Sequence, residues 1–133
     1  MGKGNKKKPN NPDPFTNVKT MAQSGKRMIK DMAFGKFNIY NEGHVFRNFD
    51  FVNAVIAEYN KYLLDINIHI AAIEYAYNGT EDLNVLRLLH RDKQTKEAYE
   101  LIINTLSKII YSGGDTGFLW ILANRLPNYK YNI

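Results

Sequence analysis

Cysteine is absent from this 133-residue chain. That excludes disulfides, thiolate zinc sites and thiol nucleophiles, and it agrees with a reducing setting. No apolar run approaches the roughly 20 residues needed to cross a bilayer. The start of the chain is basic and polar with no apolar segment behind it, so the expected location is intracellular, neither secreted nor transmembrane. Met1-Gly2 is followed by Lys6 where a myristoylation signal wants Ser or Thr. Also missing are the Gly-Lys-Ser/Thr ending of a phosphate-binding loop, a Ser/His/Asp set and the paired Glu-x-x-His elements of carboxylate-bridged di-iron bundles. Negative charge is scarce in one region only. Up to Arg47 there are ten lysines and arginines against Asp13, Asp31 and Glu42, whereas the rest of the chain has eight against ten, for a net charge of +5 overall. The first third therefore suits a polyanionic or acidic partner, and the body is nearly neutral.

What the sequence does hold is one long hydrophobic pattern without proline, from Asp50 to Asn78. Val52, Tyr59, Ile66 and Ile73 recur every seven residues, and Ile56, Leu63, Ile70 and Tyr77 run beside them. Val55 and Tyr62 widen the stripe, so a helix here buries one continuous face. At about 1.5 Å per residue it spans roughly 40 Å, long enough for the other segments to pack along it. The predicted fold is all-α: four to five helices around one long central helix (about residues 50–78), with an extended basic N-terminal arm. The expected divisions are a flexible arm (1–15), an amphipathic basic helix with a linker or short hairpin (16–47), and a helical body (48–133).

The arm has nothing to bury and is expected to be disordered when free. Thr16 is placed to cap a helix from about Asn17 to Phe34, with Gly35 in the stop position. Val18, Met21, Gly25, Met28, Ile29 and Met32 share one side of it, and Lys19, Lys26 and Lys30 share another. The methionine-rich face is expected first to cover the chain's own core, with docking onto another subunit next and a membrane surface last; Val18, Met21, Met28, Ile29 and Met32 are the docking candidates. Gly25 marks a close approach by a neighbouring backbone. Phe37, Ile39, Asn41-Glu42-Gly43 and Val45 suggest a short hairpin or extended linker. Beyond Asn78-Gly79, Thr80 is expected to cap a short helix bearing Leu83, Leu86 and Leu89 that ends at a polar break near Asp92. A second helix from about Gln94 to Tyr111, stopped by Gly113-Gly114, and a last short one around Phe118–Leu122 complete the body. The tail NYKYNI alternates polar and aromatic residues and suits a groove.

Candidate chemistry is thin. Asp115-Thr116-Gly117 spells the tripeptide of the aspartic proteases, which carry it on a loop of an all-β fold with much sheet after it. Here helices flank it and 16 residues follow, so a helix cap explains the same letters. Glu58, Asp65, His69 and Glu74 fall in one arc of the central helix, and Asp65 with His69 has a four-residue step open to a metal, but a solvated charged strip is the better account of them. Asn78-Gly79-Thr80 is formally a glycosylation sequon and reads as a helix stop and start. No metal site, cofactor or catalytic set is expected. The strongest feature is the cationic series Lys3, Lys6, Lys7, Lys8, Lys19, Lys26, Arg27 and Lys30. Such lysines neutralise phosphates without fixed geometry, which gives salt-sensitive, sequence-independent contact with DNA or RNA backbone, or grip on an acidic protein surface. The expectation is a non-enzymatic structural or assembly protein of a larger nucleoprotein particle, for example an internal phage virion component, multi-copy or oligomeric and not membrane-bound. A stand-alone nucleic-acid-binding regulator, or an inhibitor of a host factor, is the alternative.

Overall fold

Asn17 opens the first helix: its side-chain oxygen accepts a hydrogen bond from the Thr20 amide at 3.2 Å, satisfying one of the orphan donors at a helix start. The structure, a computed structural model, describes residues 17–126; the expected arm, the Thr16 cap and the tail lie outside them. The first helix, α1 (Val18–Ala33), ends at Gly35, whose φ of +70° is the left-handed conformation a helix stop requires. Met21, Gly25, Met28, Ile29 and Met32 are all buried in the core of this chain. Val18 is 68% exposed.

The linker is helical rather than a hairpin. Asn38 accepts from the amides of Tyr40 and Asn41 and so starts the short α2 (Ile39–Glu42), which runs into a 3-10 turn, Gly43–Arg47. Two features outweigh the strand-like alternation here: an asparagine cap, and a phenylalanine that must point inward. Phe46 is fully buried and meets the rings of Phe37 at 6.1 Å and Phe51 at 5.2 Å, both edge-on. This row fixes the corner where the chain leaves α1 and enters the central helix.

Asn48 caps that central helix, α3 (Phe49–Ala76), through the Phe51 amide. Phe51, Val52, Val55 and Tyr59 are fully buried. Further along, Ile70 and Ile73 are buried, Ile56, Tyr62, Leu63 and Ile66 partly so, and Tyr77 is 53% exposed. The predicted stripe is thus the inner face for its whole length except the last residue. A turn with Gly79 at φ +76° leads to α4 (Leu83–Tyr111).

Two expectations fail in this region. The cap of α4 is Asp82, which accepts from the Asn84 amide at 2.9 Å, while Thr80 Oγ1 accepts from the Asp82 amide one step earlier. There is also no break at Asp92, and the two predicted helices are one of 29 residues. No glycine or proline stands between Leu83 and Tyr111, and polarity alone does not end a helix. Gly113 and Gly114, with φ of +77° and +104°, do end it, and α5 (Phe118–Arg125) folds back with Leu119 and Leu122 buried.

The body is formed by α1, the 3-10 turn, the first half of α3, the second half of α4, and α5. Tyr59, Tyr62 and Tyr99 cluster at its middle, edge-on or tilted to one another, with ring centres 5.5–5.9 Å apart. The far halves of α3 and α4 continue as a two-helix hairpin. Among the described residues there is no strand, and no helix is long and apolar enough to cross a membrane.

Candidate polyanion interface

The lysine face of α1 lies beside a groove shared with α3. Lys19, Gln23 and Lys26 form one wall, Glu58, Lys61 and Tyr62 the other, over an apolar floor that includes Ala22 and Ala54. The space measures about 650 Å³ and is open to solvent. Three lysines at this spacing follow from helix geometry: Lys19, Lys26 and Lys30 recur within about 40° of arc, away from the buried methionines.

Their surroundings decide what they can do. Arg27 is held by Asp31 at 3.0 Å and reaches Glu42 at 3.6 Å, tying α1 to α2. Asp31 and Glu42 are thereby engaged with the arginine, while Glu58 stands on the facing wall of the groove. Among the described residues, Lys19, Lys26 and Lys30 have no carboxylate within ion-pair distance. Lys26 lies over the Tyr62 ring, 4.5 Å from its centre, a contact that orients the ammonium without neutralising it. Lys61 pairs loosely with Glu58 at 3.8 Å. Burial, a hydrogen bond to Glu58 and the charge of that carboxylate push the Tyr62 phenol up to about 12, so it stays neutral beside the lysines.

Of the residues singled out in the sequence, Lys19, Lys26, Arg27 and Lys30 are thus brought together on α1, with Arg27 committed to a structural pair. Lys3, Lys6, Lys7 and Lys8 lie outside the described residues. The docking expectation for Met21, Met28, Ile29 and Met32 is corrected, since their side chains are used inside this chain. Val18 alone faces outward, at the groove. Lys61 and Gln23 were missed; they belong to the site only because α1 packs alongside α3, and no local pattern marks them.

The carboxylate and histidine strip is divided among separate partners. Lys93 approaches Glu74 at 3.2 Å, and His69 Nδ1 stands 2.5 Å from Asp92 Oδ2. No group of three potential metal ligands occurs among the described residues. Asp115 accepts from the Gly117 amide at 2.8 Å, which is a turn before α5. Asp92 is 4% exposed, and its Oδ2 accepts no hydrogen bond of good geometry. His69 is the polar group set against it, so His69→Ala is expected to cost about 1–2 kcal/mol by leaving a buried carboxylate alone. Urea unfolding of the single variant and of His69→Ala with Asp92→Leu checks this, the second change being expected to recover part of the loss.

A second hollow of about 300 Å³ lies between α2 and α5, lined by residues that include Tyr40, His44, Arg47 and Trp120. Tyr40 and Trp120 touch edge-on at 5.8 Å. Some eighty residues apart in sequence, they offered no signal before the fold was known. No known protein family, curated protein or solved structure matches this chain.

Proposed function

We propose that the chain is a non-enzymatic assembly protein that attaches to the phosphate backbone of a nucleic acid through the lysine face of α1 together with the arm lysines. The observation that carries this reading is the row Lys19, Lys26 and Lys30, which has no carboxylate within ion-pair distance among the described residues, Asp31 and Glu42 being paired with Arg27. Lysines arranged this way bind phosphate as point charges and gain by counterion release, so binding is independent of base sequence and steeply salt-dependent. The helical body then serves as a bulky, nearly neutral unit carried along the polymer in many copies. A nucleoprotein particle such as the interior of a phage virion is the setting that suits it.

Anisotropy of a labelled random-sequence duplex, titrated at several salt concentrations, tests this. Lys19→Gln/Lys26→Gln/Lys30→Gln is expected to flatten the dependence of log K on log salt by about 2–3, close to one unit for each phosphate that is no longer neutralised. Removing residues 2–14 is expected to flatten it further. Affinity and slope unchanged in both variants would exclude the reading. Strong preference for one duplex sequence would point to a regulator instead.

A further inference from the structure

The outer side of α3 carries a second apolar stripe, separate from the one that builds the core. Ala57, Leu64, Ile68, Ala71 and Tyr75 recur at alternating spacings of four and three residues, with Lys61 in the same series. At 100° per residue these lie roughly opposite Tyr59, Ile66, Ile70 and Ile73 of the buried stripe and about 100–120° from His69 and Glu74; through Tyr59, His69 and Glu74 α3 meets Tyr99, Asp92 and Lys93 of α4. The stripe therefore faces away from α4. The α1/α3 groove takes in Val18, near the start of α1, and Tyr62, so α1 stops covering α3 about there. Leu64 is 61% exposed, Ile68 60% and Tyr75 91%. Single exposed apolar side chains are ordinary, but a continuous seam with coiled-coil spacing is not.

We propose that this seam binds a second copy of the same chain, with the two α3 helices antiparallel. Size and charge select that occupant. When Ala57 is set opposite Tyr75 of the second copy, Leu64 falls opposite Ile68 and Lys61 opposite Ala71. Each large side chain then meets a smaller or comparable one, and by two-fold symmetry every pair occurs twice. Lys61 is the single charge on the seam. In this register it lies within one helical turn of the second copy's Glu74, not against a like charge. The second copy's hairpin turn, with Glu81 and Asp82, comes level with the first turns of α3. A parallel arrangement would instead set Lys61 against Lys61 and Tyr75 against Tyr75. Ala57 and Lys61 belong both to the seam and to the α1/α3 groove, whereas Lys19, Lys26 and Lys30, and Leu64 and Ile68 at the seam's centre, each belong to one surface only, so the variants that test the two readings do not overlap.

Sedimentation of the full chain without nucleic acid, over about 1–500 µM, is expected to show reversible doubling of the mass. Leu64→Glu/Ile68→Glu is expected to weaken association by about 100-fold or more, because it places carboxylates at the centre of the seam. Both positions are exposed, so circular dichroism should be unchanged. The natural chain lacks cysteine, so the register can be read directly. Ala57→Cys mixed with Tyr75→Cys is expected to yield the mixed disulfide, with little of either like pair. A wild-type chain that stays monomeric throughout, a double-glutamate variant that associates as well as wild type, or cross-links confined to 57 with 57 would each overturn the proposal.

Discussion

Gly25→Ala is expected to destabilise the fold by about 2–3 kcal/mol, although alanine is intrinsically the better helix former by up to about 1 kcal/mol. Gly25 lies in the middle of α1, where it faces Val55 of α3. A Cβ built there would stand 1.9 Å from Val55 Cγ2, 3.1 Å from its Cβ and 3.2 Å from its Cγ1. Turning the valine about χ1 gives no relief, because every atom of the side chain is already close and a β-branched residue in a helix has essentially one comfortable rotamer. The helices must move apart, loosening Met21, Met28 and Ile29 from the core they share with Val52 and Val55. Val55→Ala removes both γ carbons and leaves only the 3.1 Å approach, which a shift of a few tenths of an ångström relieves. That change alone costs about 2 kcal/mol for the buried methyl groups removed. In its background Gly25→Ala should become neutral or slightly stabilising, the signature of direct coupling in a double-mutant cycle. Equal costs in the two backgrounds, measured by urea unfolding, would show that the glycine serves some other purpose.

Gly25 also illustrates how far the sequence could be read. Its place on the apolar side of α1 marked a close approach, but the neighbour is a side chain, and only the paired helices identify it as Val55. The central helix was legible because eight apolar positions repeat over four heptads. The methionine face of α1 was legible as apolar, with this chain's own core and another subunit both open to it, because whether a stripe meets its own chain or another depends on what lies across from it; the core is where it lies. Local chemistry misled in two places. Between Phe37 and Val45 the alternation resembled a strand, yet Asn38 as a cap and Phe46 as an anchor made helix and 3-10 turn. At Asp92 polarity resembled a break, yet His69, on a different helix, provides the partner that lets a carboxylate sit inside. The outer stripe of α3 went unread for a different reason. Its residues were present at the right spacing, but a helix with apolar stripes on opposite sides shows neither clearly until one of them is known to be occupied.

The same core makes alkaline pH the condition under which the fold should fail. Tyr59 is wholly buried, and burial, followed by the negative charge that Tyr99 and Tyr62 would carry as phenolates, pushes its phenol far above the usual value of 10.0. Burial also raises Tyr99, with Tyr62 adding to it, while the partly exposed Tyr62 is pushed up to about 12. In each case the native state keeps a proton that the unfolded chain releases near pH 10. The unfolded state then binds fewer protons, so stability is intact below about pH 10 and falls as pH rises beyond it. For Tyr59 the slope is about 1.4 kcal/mol per pH unit, or roughly 3 kcal/mol by about pH 12. Tyr99 adds to this, and Tyr62 contributes less because solvent screens it. A domain of this size has only about 5–15 kcal/mol to lose, so cooperative unfolding is expected above pH 10, with part of the tyrosinate absorbance appearing at the same pH as the loss of helical circular dichroism. Tyr59→Phe removes the group with the largest shift and should flatten the decline between about pH 10 and 12. If all nine tyrosines ionised together near pH 10 while the helices remained, the clustered phenols could not be as shielded from water as their packing requires.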